Sequence, residues 1–168
     1  RKKAITEPRQ SMPETGSMLT HLHSPAMLEF LTTLTGISGL IPRQEGGGAH
    51  RIEPGGFLGT HVDFNRASDG LHRRLNCLVY LNPDWGTEEG GELELRAAQD
   101  DPSPAVKVIP EIDTTVIFET SDRSWHGHPL PLPAKRDRLS LAMYYFTELP
   151  PEHHTSITPH STIFGDSR

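Results

Sequence analysis

His61 and Asp63 stand two residues apart in the stretch GTHVDFN. On a β-strand, side chains two apart share a face, so an imidazole and a carboxylate would point the same way. Together they make two-thirds of a 2-His-1-carboxylate triad, which holds Fe(II) and leaves open positions for substrate and oxygen. The third donor should come from a late strand. His126 and His128, in SWHGHP, are the candidates, and alternation puts both on one face, so periodicity does not separate them. His72 is a weaker candidate because it sits at the edge of a polar loop. Ten histidines in 168 residues make a metal site worth seeking.

The second chemical signal is Arg138, which opens RLSLAMYYF. Alternation groups Arg138, Ser140, Ala142, Tyr144 and Phe146 on one face and Leu139, Leu141, Met143 and Tyr145 on the other. An arginine turned into a barrel needs an anion, because burying an unpaired charge is costly. A structural partner would be a barrel acid such as Glu92 or Asp113. A ligand partner would be a carboxylate, which the guanidinium fork matches in bidentate geometry. A metal triad and a carboxylate clamp on one inner face suit a dicarboxylate that meets iron at one end and Arg138 at the other, namely 2-oxoglutarate.

These residues need a scaffold of short strands. The chain suits one domain with a single core. Hydrophobic residues are 34% of it, with 15 Gly and 15 Pro, which favours short elements joined by turns. Strands are expected near 49–53, 57–63, 73–81, 91–96, 105–109, 114–119, 125–128 and 138–147, separated by turn residues such as Pro54-Gly55-Gly56 and Asn82-Pro83-Asp84. About eight strands at this spacing suggest a jelly roll with cupin-like architecture. A helix should start at Pro25, capped by Ser24, with Leu28, Leu31 and Leu34 at helical spacing, Phe30 and Met27 beside them, and Gly36 ending it. The single domain divides into a polar arm or loop over 1–16, helical support packed outside the sheet over 17–42, a jelly-roll core over 43–147 and a tail over 148–168 draped on the barrel.

The ordered blocks HVDFN (61–65), RRLNCLVYLNPDW (73–85), GGELEL (90–95), SDRSWHGHP (121–129) and RLSLAMYYF (138–146) are specific as a set. Over residues 47–147 the sequence resembles the prolyl-hydroxylase-like branch of the Fe(II)/2-oxoglutarate-dependent oxygenases. The resemblance implies a double-stranded β-helix, with Fe(II) on His61, Asp63 and His126 and the distal carboxylate of 2-oxoglutarate on Arg138. It also implies a hydrogen bond from Tyr80 to that carboxylate, with Leu78 and Leu93 lining the pocket and Ser140 beside it. His128 occupies a position that usually contacts the co-substrate and is often apolar, so its imidazole is a departure. The link from His126 to Arg138 is longer than in close relatives and is stiffened by Pro129, Pro131 and Pro133. The implied reaction hydroxylates an unactivated C–H bond, with O2 as oxidant, succinate and CO2 as co-products, and ascorbate as accessory reductant. The substrate class spans prolyl peptides, amino acids and small molecules.

Other residues read more plainly. Asn76 and Tyr144 are possible pocket lining, Trp85 and Trp125 packing residues, and Cys77 a buried residue facing away from the metal. Arg51, Glu53, Asn65 and Arg66 lie near the expected mouth, where each is more often a solvated charge or turn residue. The tail histidines His153, His154 and His160 are expected in solvent. A net charge of −6 disfavours nucleic acid and anionic membranes. One cysteine excludes an internal disulfide, and there is no secretory h-region or apolar run near 18 residues, so a cytoplasmic, soluble protein is expected. The start at Arg1 leads us to expect residues upstream. Two other classes compete with the oxygenase. A non-catalytic jelly roll that binds metal or carboxylate would not need the complete donor set, and a hydrolytic zinc site would leave Arg138 unexplained.

Overall fold

A computed structural model describes residues 2–5, 13–63, 66–67, 69–150 and 163–164. Among the described residues, ten strands form two antiparallel sheets. In chain order they are β1 (Lys2–Ile5), β2 (Ile41–Ile52), β3 (Leu58–Val62), β4 (His72–Tyr80), β5 (Leu93–Arg96), β6 (Val106–Val108), β7 (Thr115–Glu119), β8 (Trp125–His128), β9 (Arg138–Thr147) and β10 (Ile163–Phe164). The larger sheet runs β1-β2-β9-β4-β7 and the smaller β10-β3-β8-β5-β6. Successive strands alternate between the sheets from β2 to β5 and again from β6 to β9, with β5 and β6 paired in the smaller sheet, the winding of a double-stranded β-helix. The mainly β jelly roll expected from the sequence is the observed fold.

Two helices precede the barrel, α1 (Pro13–Leu22) and α2 (Pro25–Thr35). The start of α2 follows from local chemistry. Ser24 is extended and its side chain accepts a bond from Met27 N at 3.3 Å, while Pro25 loses nothing at a position whose N–H has no helical partner. Gly36, at φ 73°, closes the helix by donating to Thr32 O at 2.8 Å.

The helices cover the outer face of the larger sheet. Leu19, Leu22 and Leu31 pack with Leu75, Cys77, Met143 and Tyr145, each under a tenth exposed. Tyr145 also donates its hydroxyl to Leu22 O at 2.9 Å, tying β9 to the end of α1. The members of this cluster on β4 and β9 are the odd-numbered residues, so the even-numbered ones turn inward. Not every apolar residue of α2 joins it, since Phe30 and Leu34, read above as part of the packing stripe, are about half exposed.

Several boundaries differ from the sequence reading: α1 begins at Pro13, inside the stretch read as an arm, and Ile163–Phe164, inside the stretch read as a tail, pairs with Val62 and His61. Lys2–Ile5, inside the stretch read as an arm, pairs with Ala49–Ile52. β2 begins at Ile41 rather than near 49, and an irregularity between Arg43 and Gly48 divides its pairing with β9. The polar composition of both segments hid these strands, because ladder pairing with a neighbour leaves no apolar alternation to read.

The link between β8 and β9 is built into the fold. Gly55 N donates to Leu132 O and Leu132 N to Gly56 O, both at 2.9 Å. Leu132 and Ala134 are buried with Ile52 and Trp85 in a second apolar cluster at the Arg138 end of the barrel. Leu132 and Ala134 of this link therefore close that end of the pocket. No helix among the described residues is long and apolar enough to cross a membrane.

Candidate functional site

The inner faces of the two sheets enclose one cavity lined by His50, Ile52, Leu58, His61, Asp63, Asn76, Leu78, Leu93, His126, His128, Arg138, Ser140, Ala142 and Tyr144. At one end, one donor atom each from His61, Asp63 and His126 lie within 4.8 Å of one another. β3 supplies His61 and β8 supplies His126, which face each other across their ladder. His61 Nε2 is 3.9 Å from Asp63 Oδ1, and His126 Nε2 is 3.6 Å from Asp63 Oδ2.

Both imidazoles are oriented by their own strands. His61 Nδ1 is 2.8 Å from Gly59 O and His126 Nδ1 is 2.8 Å from Ser124 O. A carbonyl can only accept, so each Nδ1 carries the proton and each Nε2 presents a lone pair to the cluster. Burial alone would push the Asp63 carboxyl up. Contact with the His126 side chain, the Arg73 guanidinium and the His61 side chain holds it well below the usual carboxylate range. Two neutral imidazole nitrogens and an ionised carboxylate converging in a buried site fit a divalent metal with open positions, and could hold Fe(II).

Arg138 lies at the other end and is 5% exposed. Its Nε donates to Gly91 O at 2.8 Å, and its guanidinium carbon sits 5.0 Å from the Tyr80 ring centroid. Neither Glu92 nor Asp113 pairs with it, and it forms no ion pair among the described residues. The Tyr80 hydroxyl is buried beside Arg138 and has no hydrogen-bond partner in good geometry among the described residues. A buried cation beside an unsatisfied hydroxyl is a costly arrangement that an anion with acceptor oxygens would relieve. Burial pushes the Arg138 pKa down from its ordinary value, against the opposing influence of Tyr80. Leu78, Leu93, Ser140 and His128 line the cavity between this end and the donor cluster.

A layer behind Asp63 was not read from the sequence as a unit. Tyr144 donates to Asp63 Oδ2 at 2.9 Å. Arg73 Nη1 lies 3.5 Å from Asp63 Oδ1, and its guanidinium stacks 3.9 Å from the Tyr144 ring centroid. Strand alternation places Arg73 with Leu75 and Cys77 on the helix-covered face. The pairing of β4 with β9 shifts between Arg73 and Leu75. That bulge reverses the parity and turns Arg73 toward Asp63. His50 was also missed. It faces Ser140 across β2–β9, and Ile52 faces Arg138. Alternation along β2 would have grouped the two, but only the strand register places them beside the Arg138 end of the cavity.

The remaining expectations sort clearly. His128 shares a face with His126 but is paired in register with Leu58, so it lines the cavity outside the donor cluster. His72 is also outside that cluster. Asn76 and Tyr144 line the cavity, and Cys77 is buried in the helix-facing core. Trp85 is a packing residue whose Nε1 donates to Gly90 O at 2.9 Å, with Arg136 over its ring. Arg51 pairs with Asp137 at 2.8 Å and lies 3.8 Å from Glu53, and Arg66 donates to Gly70 O at 3.0 Å. None of those three lines the cavity. Asn65, His153, His154 and His160 lie outside the described residues.

Known proteins are similar to this chain. The chain is 33% identical over 97 residues to a protein named prolyl 3-hydroxylase OGFOD1 from Xenopus laevis, covering 52% of this chain and 19% of that one. It is 25% identical over 158 residues to prolyl 3,4-dihydroxylase OGFOD1 from Ostreococcus tauri, covering 86% and 28%. Among solved structures, a prolyl 4-hydroxylase from Phytophthora capsici superposes with a TM-score of 0.63 at 26% identity, covering 94% of this chain and 52% of that one. The chain thus spans between a fifth and about half of the length of these relatives. The family model described as the 2OG-Fe(II) oxygenase superfamily matches residues 47–146. That match takes in more than half of the chain, including every residue of the donor cluster and Arg138, and so the chain belongs to the 2OG-Fe(II) oxygenase superfamily.

Proposed function

We propose that this chain is the catalytic unit of an Fe(II)- and 2-oxoglutarate-dependent dioxygenase that hydroxylates an unactivated C–H bond. Succinate and CO2 are the co-products, and ascorbate serves as accessory reductant. The observation that carries the reading is the pairing, in one cavity, of three converging metal donors with a buried Arg138 that has no acid of its own. His61, Asp63 and His126 hold the metal. Arg138 and the Tyr80 hydroxyl would hold the distal carboxylate of 2-oxoglutarate, and Ser140, His128, Leu78 and Leu93 line the cavity that would take the rest of it. When bound, the metal and co-substrate supply oxygen activation and the oxidative decarboxylation coupled to it.

The protein's share of the work is orientation and exclusion. Gly59 O and Ser124 O keep both imidazoles in the tautomer that frees Nε2. Asp63 stays ionised, so no proton has to leave before the metal binds. Arg138 fixes the far end of a dicarboxylate and so sets where its other end meets the metal. Leu132 and Trp85 close the barrel behind Arg138 and keep water from that charge pair.

The names of the relatives favour a prolyl residue in a peptide as substrate, with a free amino acid or small molecule as the other classes. The single buried cysteine suits a cytoplasmic setting. The test is succinate formation from 2-oxoglutarate under air with Fe(II) and ascorbate, with and without proline-containing peptides. Wild type is compared with His61→Ala and Arg138→Ala. Turnover lost in both variants supports the proposal. If wild type neither turns over nor binds 2-oxoglutarate when loaded with Mn(II), the oxygenase reading fails and a binding module takes its place.

A further inference from the structure

We infer that Asn82 is a positioning residue for the clamp on the co-substrate's distal carboxylate, fixing the root of Arg138 against Tyr80. The inference rests on the proposal that Arg138 and Tyr80 hold that carboxylate. It assigns the alignment of the clamp to a residue that does not itself line the cavity.

Asn82, read above as a turn residue, is 3% exposed. Its amide ties the end of β4 to the start of β9. Oδ1 accepts the Leu139 N–H at 2.6 Å, and Nδ2 donates to Leu139 O at 3.0 Å and to Pro110 O at 2.6 Å. An N–H only donates and a carbonyl only accepts, so the amide has one workable orientation. The side chain thus offers Leu139 what a facing backbone would offer, an acceptor and a donor toward the same residue. Main-chain bonds support it on both sides. Leu81 N donates to Leu139 O at 3.2 Å, and Ile112 N donates to Asn82 O at 2.9 Å.

The place of this clip gives it its role. The β4–β9 ladder ends with Tyr80 opposite Ser140, and Arg138 lies beyond it, opposite Ile52 of β2. Leu139 stands between Arg138 and Ser140, and its side chain is 38% exposed, so packing holds little of it in place. The Asn82 amide holds its backbone instead, next to the residue that carries the guanidinium. Farther out, the Arg138 stem is a close fit. Its Nε donates to Gly91 O at 2.8 Å, and a Cβ on Gly91 would stand 3.1 Å from Arg138 Cδ. A stem gripped at Gly91 and clipped at its root keeps the guanidinium in one place relative to the Tyr80 hydroxyl. Bidentate contact with a carboxylate needs this, because the planar fork fixes the direction of both bonds. Without the clip, the start of β9 is free to shift, and the fork shifts with it.

The test compares, by calorimetry on Mn(II)-loaded protein, binding of 2-oxoglutarate with binding of 2-oxobutyrate, which keeps the 2-oxo acid but lacks the distal carboxylate. Wild type, Asn82→Ala, Asn82→Ser and Arg138→Met are used, with Mn(II) affinity and a melting curve recorded for each. A misplacement of about 1 Å in a positioned group can cost about 100-fold. We expect folded Asn82→Ala to lose about 10–100-fold in 2-oxoglutarate affinity while keeping wild-type affinity for 2-oxobutyrate and Mn(II). A purely structural role would not separate the two acids. Unchanged 2-oxoglutarate affinity, or an equal loss for both acids, overturns the inference. Should Asn82→Ala not fold, Asn82→Ser, which keeps a small polar group, decides by the same readout; if neither folds, Asn82 carries the fold and the inference falls. Arg138→Met separates the two levels and should erase the preference for 2-oxoglutarate. If it keeps that preference, the clamp reading fails and this inference with it. If it loses the preference while Asn82→Ala keeps it, the clamp stands and the positioning role falls.

Discussion

Arg138→Met should make the ligand-free protein more stable while removing its response to 2-oxoglutarate. The substitution keeps the length of the stem and deletes a buried charge. On the cost side, the protein loses the Nε bond to Gly91 O at 2.8 Å and a cation–ring contact with Tyr80 at 5.0 Å. A hydrogen bond from a charged donor contributes about 1.5–3 kcal/mol, and an enclosed cation–ring contact about 1–2 kcal/mol. Against this, burial of an ion without a counter-charge costs several kcal/mol even after relaxation, about 5 kcal/mol or more for a group this enclosed. The balance favours methionine by about 1–2 kcal/mol, or roughly 2–8 °C in melting temperature for a domain of this size. Ligand should reverse the ranking. At 100 times its Kd, 2-oxoglutarate stabilises wild type by about 2.7 kcal/mol. Loss of one partner of a buried charge pair costs about 2–5 kcal/mol of binding, which leaves the variant almost without a shift. Thermal melts of Mn(II)-loaded protein, with and without 2-oxoglutarate, read both effects. A variant that melts several degrees below wild type without ligand would refute the reasoning, because Arg138 would then be a structural cation. An undiminished ligand shift would refute the carboxylate clamp.

Three further outcomes follow from the geometry. His128→Ala should keep Mn(II) affinity within a few-fold of wild type, unlike His126→Ala, while changing 2-oxoglutarate affinity; equal metal loss in both would place His128 in the donor set. Gly127→Ala should weaken metal binding and lower the melting temperature, since a Cβ there would stand 2.8 Å from Leu58 O and 2.9 Å from Gly59 O, forcing β8 away from the strand that carries His61. Normal Mn(II) affinity in that variant would show that the ladder tolerates the spread. Cys77 should resist alkylation in native protein at pH 8 and react after denaturation, because burial pushes its thiol up to about 12, so the thiolate is scarce across the whole working range; rapid labelling of the native protein would count against its placement under α1 and α2.

Much of the fold was legible because it is local chemistry. Ser24, Pro25 and Gly36 carry the bounds of α2 in their own side chains and backbone preferences. The inward and outward halves of β9 follow from alternation, which needs no knowledge of the partner strand. The same rule brought His61 and Asp63 to one face, and the cost of burying Arg138 pointed to an anion.

Register and bulges were not legible, because they belong to pairs of strands. His126 and His128 are equivalent by alternation; the ladder that sets His126 opposite His61, and His128 opposite Leu58, tells them apart. Arg73 sits at the wrong parity until the β4 bulge reverses it, and that bulge is fixed by pairing with β9. His50 reaches the cavity because β2 lies beside β9 in one register, and Leu132 closes the pocket because residues 55–56 bond to it across the end of the barrel. The sequence by itself determined which side chains could do the chemistry and, along unbroken strands, the face each would take. The tertiary structure decided which of them meet, because contact between strands far apart in the chain depends on a register that no single segment encodes.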